Sequence, residues 1–209
     1  MKNWTILAAL LLVTGGLAAV ASASDEAAEA PAATAAIGQP APAFTLTDET
    51  GTEHSLEQYR GRIVVLEWTN PECPFVVRHY NERTMHDLIG EHVGDDLVWL
   101  SIDSSHHRNA EMATADKARF EMTPPVLLDT DGTVGRAYGA RTTPHMYIID
   151  AEGVLRYMGG FDDDARGRQD RADRTQYTRD AIVAMRAGNM PDPSSTTPYG
   201  CTVKYEGVQ

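Results

Sequence analysis

Apolar runs separated by short polar segments predict alternating strands and helices along this chain. The near-continuous apolar stretch from Arg62 to Trp68 is typical of a strand covered on both faces, and Leu97 to Ile102 repeats the pattern. Shorter apolar segments predict further strands at Phe44–Thr47, Thr52–Leu56, Val126–Leu128, Met146–Ile149 and Val154–Met158. Helices are predicted over Pro74–Ile89, Asn109–Glu121 and Arg174–Ala187. This order predicts a mixed α/β sheet covered by helices on both faces.

The first 23 residues have the pattern of a secretory signal peptide. Lys2 supplies the positive start, an apolar run extends from Ile6 to Val20, and Ala21-Ser22-Ala23 is a small-residue cleavage site. A transmembrane anchor is the alternative, but the run is shorter than the ~20 residues of a span and is rich in Ala and Gly. We therefore expect an exported protein, periplasmic or secreted, whose mature chain has no stable membrane insertion.

Composition divides the rest of the chain into three parts. Residues 24–37 are Ala-rich and predict a flexible linker, residues 38–188 predict one folded domain, and residues 189–209 form a Pro/Ser/Thr-rich tail that carries Cys201. Tyr199, Val203 and Tyr205 are out of place in a disordered terminus and indicate that the tail docks on the domain. The charged segment from Asp162 to Arg174 is expected to be a solvated connection.

Charge and cysteine content exclude several classes of function. The 209 residues carry 18 Lys and Arg against 30 Asp and Glu, a net charge of −12, which disfavours nucleic-acid binding. Two cysteines are too few for a disulfide-dense module or a structural zinc module. His106 and His107 raise the alternative of a copper site, but a solvated loop is the better interpretation. No metal and no cofactor are predicted.

The segment from Trp68 to Val76 carries the most informative chemistry. Cys73 stands just before a predicted helix, where unpaired N–H groups and the helix dipole favour the reactive thiolate. An inert, buried cysteine is the alternative. Pro71 and Pro74 flank the cysteine within a polar lead-in, and they favour a shaped, partly exposed loop.

These motifs together resemble the thioredoxin-fold redoxins of the AhpC/TSA type, a group that includes thioredoxins, exported thiol-disulfide oxidoreductases and peroxiredoxins. The resemblance rests on Gly38–Phe44, Ile63–Pro74, Leu127–Gly132 and Tyr138–Asp150, and it spans residues 38 to about 160. The closing Pro198–Tyr205 is similar to the tail of a bacterial subgroup with an Asn-Pro-x-Cys-Pro-Phe loop. The resemblance implies a thioredoxin-like, three-layer α/β/α fold with a mixed central sheet.

The resemblance also implies roles for individual residues. Cys73 takes the place of the attacking cysteine, and Thr143-Pro144 matches the cis-proline that faces it and pairs with a substrate peptide. Pro74 is expected beside them in the substrate site. Glu67 matches a buried acid that exchanges protons with the thiol. The alternative is that Glu67 points outward or pairs with an arginine.

Two departures from the family pattern change the expected mechanism. Val76 stands where a thioredoxin has its second cysteine, so Cys201 is the expected resolving partner. Asn70 stands where a peroxiredoxin has threonine, and Thr143-Pro144 stands where it has an arginine; Arg78 and Arg141 are candidate substitutes.

We therefore expect an oxidoreductase that acts on a protein or small-molecule disulfide, with an external thiol as electron donor. The first alternative is a peroxiredoxin-like thiol peroxidase that uses the same two cysteines on a peroxide. The second is a non-enzymatic binding module in which the cysteines form a structural disulfide.

Overall fold

The computed structural model describes residue 1 and residues 34–207. The predicted signal peptide at residues 1–23 and most of the predicted linker therefore lie outside the described residues. The last residues of that linker segment contact the domain, because the Ala35 N–H donates to the Ala137 carbonyl at 2.9 Å and the Ala35 side chain is buried.

Seven strands form one mixed sheet. They are β1 (Thr45–Asp48), β2 (Glu53–Ser55), β3 (Ile63–Trp68), β4 (Leu97–Asp103), β5 (Val126–Leu128), β7 (His145–Ile149) and β8 (Leu155–Gly159), and their spatial order is β2-β1-β5-β4-β3-β7-β8. Strands β3, β4 and β5 are parallel neighbours, and the remaining pairs are antiparallel. A separate two-stranded ribbon joins β6 (Thr142–Thr143) to β9 (Cys201–Thr202).

Helices cover both faces of the sheet. The helices are α1 (Pro74–Asn81), α2 (Thr84–His92), α3 (Ala110–Phe120), α4 (Thr133–Tyr138) and α5 (Tyr177–Arg186), with short 3-10 helices at Leu56–Tyr59 and Arg171–Asp173. One face packs against α1, α2, α3 and α5, and the other packs against α4 and the first 3-10 helix. The predicted three-layer α/β/α fold with a mixed central sheet is confirmed.

The register of the central strands brings the site together. Side chains alternate along β3, so Val65 packs on one face of the sheet and Val64 and Leu66 pack on the other. Trp68, the last residue of β3, pairs with His145, the first residue of β7. The segment before β7, Thr143-Pro144, therefore lies next to the loop that leads from β3 to Cys73.

The single helix predicted over Pro74–Ile89 is instead two helices. Arg83 adopts a left-handed conformation, with φ of 60°, between α1 and α2. The Thr84 hydroxyl donates to the His79 carbonyl at 3.1 Å, and this side-chain bond competes with continued helix. Helix α4, which was not predicted, begins where the buried Asp129 carboxylate accepts the N–H groups of Val134 and Gly135.

The prediction that Asp162–Arg174 is a solvated connection is correct for most of residues 165–173, which are exposed, but wrong for the start of the segment. Asp162 and Asp164 are buried, and Arg174 lies 3.1 Å from the Asp164 carboxylate. Opposite charges within the segment, and Arg78 from α1, compensate one another inside the protein.

The C-terminal tail docks on the domain, as its apolar residues predicted. Val203 is buried, and its N–H donates to the Arg141 carbonyl at 3.1 Å. The Tyr205 hydroxyl donates to the Ala140 carbonyl at 2.8 Å. Among the helices of residues 34–207, none combines the length and the apolar character that a membrane span requires.

Candidate active site

Cys73 is the N-cap residue of α1, with Pro74 at the first helical position. Its thiol donates to the carbonyl oxygen of Thr143 at 2.9 Å. The Val76 N–H also points at the sulfur, because it is one of the backbone donors that a helix start leaves unpaired. The predicted position of the cysteine at the helix start is confirmed.

The thiol of Cys73 is buried rather than partly exposed. Only 2% of the residue is accessible, whereas Glu72 and Pro74 on either side of it are exposed, so the loop is partly exposed as expected but its cysteine is not. The cysteine is covered because the C-terminal tail, 128 residues further along the chain, pairs with the neighbouring strand β6. The buried thiol nevertheless has a polar partner, the Thr143 carbonyl, which distinguishes the site from an inert cysteine in an apolar core.

Cys201 is the neighbour that the tail brings to Cys73. In the β6–β9 ribbon Cys201 stands directly opposite Thr143, whose carbonyl accepts from the Cys73 thiol, and Cys201 packs against the core cluster that contains Cys73. Both cysteines are free thiols. The fold therefore brings both thiols to the same site.

The pKa values of the two thiols are shifted in opposite directions. Burial opposes ionisation of Cys73, but the Thr143 side chain, the Cys201 side chain and the Val76 N–H favour the thiolate, outweigh burial and lower the pKa of Cys73. Burial and the neighbouring Cys73 raise the pKa of Cys201 to about 11. Because the thiolate is the nucleophile, Cys73 is the member of the pair suited to attack.

The Thr143-Pro144 peptide bond is cis, as predicted. Thr143 is buried and faces Cys73 through its carbonyl group, while its β6 backbone pairs with β9. Pro74 lies on the exposed side of the loop, where it lines a pocket of about 140 Å³ with Phe75 and Arg78. These residues thus lie around Cys73, whereas their part in substrate binding stays a prediction.

Glu67 is fully buried and does not pair with an arginine. Its Oε2 accepts hydrogen bonds from the Tyr80 hydroxyl, the Trp99 indole N–H and the Ser101 hydroxyl, each at 3.1 Å. Burial raises the pKa of this carboxyl, although those hydrogen bonds oppose the shift. Cys73 is not among these partners, so proton exchange between the two groups stays a prediction.

A buried polar cluster anchors the tail near the site. The Tyr199 hydroxyl donates to the Asp162 carboxylate, lies 3.0 Å from His79 Nε2 and accepts from Arg78 at 3.4 Å. Burial, with the charges of Arg78 and Arg174, lowers the pKa of His79 to about 3, so its ring is neutral. The sequence signal for this cluster was Tyr199 alone, because nothing in the pattern connects it with Asp162.

The remaining candidate residues lie in other surroundings. Arg78 donates to the Asp164 carbonyl at 2.8 Å, and Arg141 is exposed, with its backbone N–H 3.4 Å from His145 Nδ1. His107 lies on the surface, 3.2 Å from the Glu72 carboxylate. Within residues 34–207, no group of three or more His, Cys, Asp or Glu side chains is arranged to hold a metal ion.

Comparison with known proteins gives a consistent group of relatives. The model of the AhpC/TSA family matches residues 37–158, more than half of the chain. The thiol-disulfide oxidoreductase ResA of Geobacillus thermodenitrificans is 28% identical over 121 residues, which cover 58% of this chain and 67% of ResA. A Mycobacterium tuberculosis protein named as a peroxiredoxin is 32% identical over 135 residues, 62% of this chain and 80% of that protein.

Solved structures share the fold. A protein from Sinorhizobium meliloti without an assigned function has a TM-score of 0.70 and 25% identity, and the match covers 84% of this chain and 97% of that one. The thioredoxin domain of a Bacteroides vulgatus thiol-disulfide oxidoreductase has a TM-score of 0.51 and 19% identity, over 58% of this chain and 86% of that one. The second match supports the fold alone.

Proposed function

Since this chain belongs to the AhpC/TSA family, we propose that it is an exported thiol-disulfide oxidoreductase whose nucleophile is Cys73 and whose resolving cysteine is Cys201. The observation that carries this proposal is the β6–β9 ribbon, which sets Cys201 opposite Thr143, the residue whose carbonyl accepts from the Cys73 thiol. The pKa values of the two thiols are shifted in opposite directions. The names of the relatives favour an enzyme over a non-enzymatic binding module. Export is supported by the signal-like residues 1–23.

The first step is attack by the Cys73 thiolate on a substrate disulfide. A bond forms between Cys73 Sγ and one substrate sulfur, and the other sulfur leaves as a thiolate that takes a proton from solvent. The Val76 N–H, fixed at the start of α1, stabilises the negative charge on Cys73 before the attack.

The second step transfers the bond to Cys201. The Cys201 thiol loses its proton and attacks Cys73 Sγ, which forms the Cys73–Cys201 disulfide and releases the second substrate thiolate. Two electrons have then passed from the protein to the substrate. An external dithiol restores both cysteines and leaves as its own disulfide.

Thiol peroxidase activity is the second candidate function, favoured by the relative that is named as a peroxiredoxin. The same cysteine pair serves such a reaction, in which the Cys73 thiolate is oxidised by a peroxide and Cys201 resolves the product. Arg78, however, is held by Asp164 and Tyr199, so it is a weak candidate for binding peroxide. Disulfide exchange is therefore the preferred function.

Trapping the mixed disulfide tests the proposal. With insulin or oxidised glutathione as substrate, Cys201→Ser should accumulate an adduct on Cys73, and mass spectrometry locates it. Cys73→Ser should form no adduct and lose all exchange activity while its thermal midpoint stays near that of the wild type. An active Cys73→Ser variant would remove Cys73 from the mechanism, and peroxide turnover without disulfide exchange would favour the second candidate.

A further inference from the structure

Strand β6 has an edge that the chain fills with its own tail. Thr142 and Thr143 lie outside the seven-stranded sheet and pair with Thr202 and Cys201 of β9. Without the tail, backbone N–H and C=O groups of β6 would be free beside Cys73. Such an edge binds an extended polypeptide by adding it as a strand. The tail therefore occupies the place where a polypeptide substrate would pair.

Gly200 allows this close approach. Its φ is +137°, and an added Cβ would lie 2.0 Å from the Thr143 carbonyl oxygen and 2.7 Å from the carbonyl carbon. That oxygen is also the acceptor of the Cys73 thiol. The obstacle is backbone, which cannot rotate away as a flexible side chain does. A residue larger than glycine at this position must lift the tail from β6.

Several further contacts hold the closed tail. The Gly160 N–H donates to the Thr196 hydroxyl at 2.9 Å before the ribbon, and the Val203 N–H donates to the Arg141 carbonyl after it. A polypeptide that pairs with β6 has to displace β9 together with neighbouring contacts. A low-molecular-weight disulfide needs only local opening around Cys201, which is itself half-buried.

We propose that Gly200 is a specificity-determining residue that keeps the tail closed, so that the reduced protein selects low-molecular-weight disulfides over polypeptide disulfides. This inference rests on the proposed thiol-disulfide exchange. The Cys73 thiolate attacks one sulfur of the small disulfide, the other leaves as a thiolate, and Cys201 then displaces the bound half. Reduction of the resulting disulfide uses an external dithiol.

Gly200→Ala tests the selection, with Gly207→Ala as a matched control. Gly207 lies in the same tail with φ of +77°, but nothing lies within 4 Å of its added Cβ. The ratio of insulin reduction to bis(2-hydroxyethyl) disulfide reduction should rise about tenfold in Gly200→Ala, the factor for loss of roughly one net hydrogen bond. The control should keep the wild-type ratio. An unchanged ratio in Gly200→Ala would overturn the inference.

Labelling of Cys73 decides the same question without turnover. A maleimide on a polyethylene glycol chain and plain iodoacetamide are applied to each variant, and the labelled fraction of Cys73 is mapped by mass spectrometry. In Gly200→Ala the fraction of Cys73 labelled by the large reagent should increase more than the fraction labelled by the small one. In Gly207→Ala both fractions should stay at the wild-type values. If no variant reduces either disulfide, the proposed function fails. Equal labelling of Gly200→Ala and wild type by the large reagent refutes closure by the tail.

Discussion

Tyr199→Phe removes one hydroxyl group from the cluster that anchors the tail. The hydroxyl donates to Asp162, which is 2% exposed, and lies 3.0 Å from His79 Nε2. The phenyl ring keeps its packing beside Phe75, whose ring centroid lies 6.0 Å away. The substitution therefore deletes hydrogen bonds with little change in apolar contact.

Tyr199→Phe is expected to lose about 1.5–3 kcal/mol of stabilising free energy, the usual contribution of a hydrogen bond to a charged group. Asp162 keeps the Asp164 N–H at 3.0 Å and Arg174 at 3.9 Å, which places the loss toward the lower end of that range. If the bond stabilises the docked tail, the equilibrium constant for opening of the tail is larger in Tyr199→Phe than in the wild type by one to two orders of magnitude, since about 1.4 kcal/mol corresponds to a factor of ten.

Amide hydrogen exchange, read by mass spectrometry on peptides that contain residues 198–205, measures this opening. Exchange at the Val203 amide should accelerate by that factor, while the thermal midpoint of the domain changes little. Tyr177→Phe is the control, since the Tyr177 hydroxyl makes no hydrogen bond within residues 34–207. A lower thermal midpoint with unchanged tail exchange would show that Tyr199 supports the fold as a whole and refute the anchoring argument.

Two further predictions concern ionisation. The alkylation rate of Cys73 should reach half its maximum below the ordinary thiol pKa of ~8.5, whereas Cys201 should titrate far above it; a Cys73 midpoint at or above that value contradicts the site described. Because burial raises the pKa of Glu67, the folded protein keeps this proton after the unfolded chain has lost it, so the wild type loses stability as pH rises from the ordinary value of ~4.3. Glu67→Gln has no carboxyl to titrate and therefore lacks this pH-dependent loss of stability. The difference in thermal midpoint between Glu67→Gln and the wild type should shift in favour of the variant as pH rises from acidic to neutral. A difference independent of pH would be inconsistent with the raised pKa.

Much of the sheet could be predicted because its strands are continuous apolar segments. The stretch from Arg62 to Trp68 predicted β3 within one residue, and the Asp150–Gly153 turn predicted the β7–β8 hairpin. The position of Cys73 before a helix followed from the same boundaries. These features depend on local pattern, which a single sequence contains.

The features that were missed depend on partners distant in sequence. Helix α4 contains Gly135, a poor helix former, and is begun by the carboxylate of Asp129. The ribbon of β6 and β9 has two residues in each strand, too few for any periodicity to show. The burial of Asp162 depends on Tyr199 and Arg174, so the start of an otherwise exposed charged segment lies inside the protein.

The cover over Cys73 is made from a segment that is synthesised long after Cys73 itself. Cys73 precedes Cys201 by 128 residues, a delay of roughly 6–25 s at about 5–20 residues per second. During that interval the nucleophile has neither its resolving partner nor the strand that buries it, and its thiolate can exchange with any disulfide nearby. Synthesis of the segment around Cys201 is thus the event that changes Cys73 from a generally reactive cysteine into a protected one.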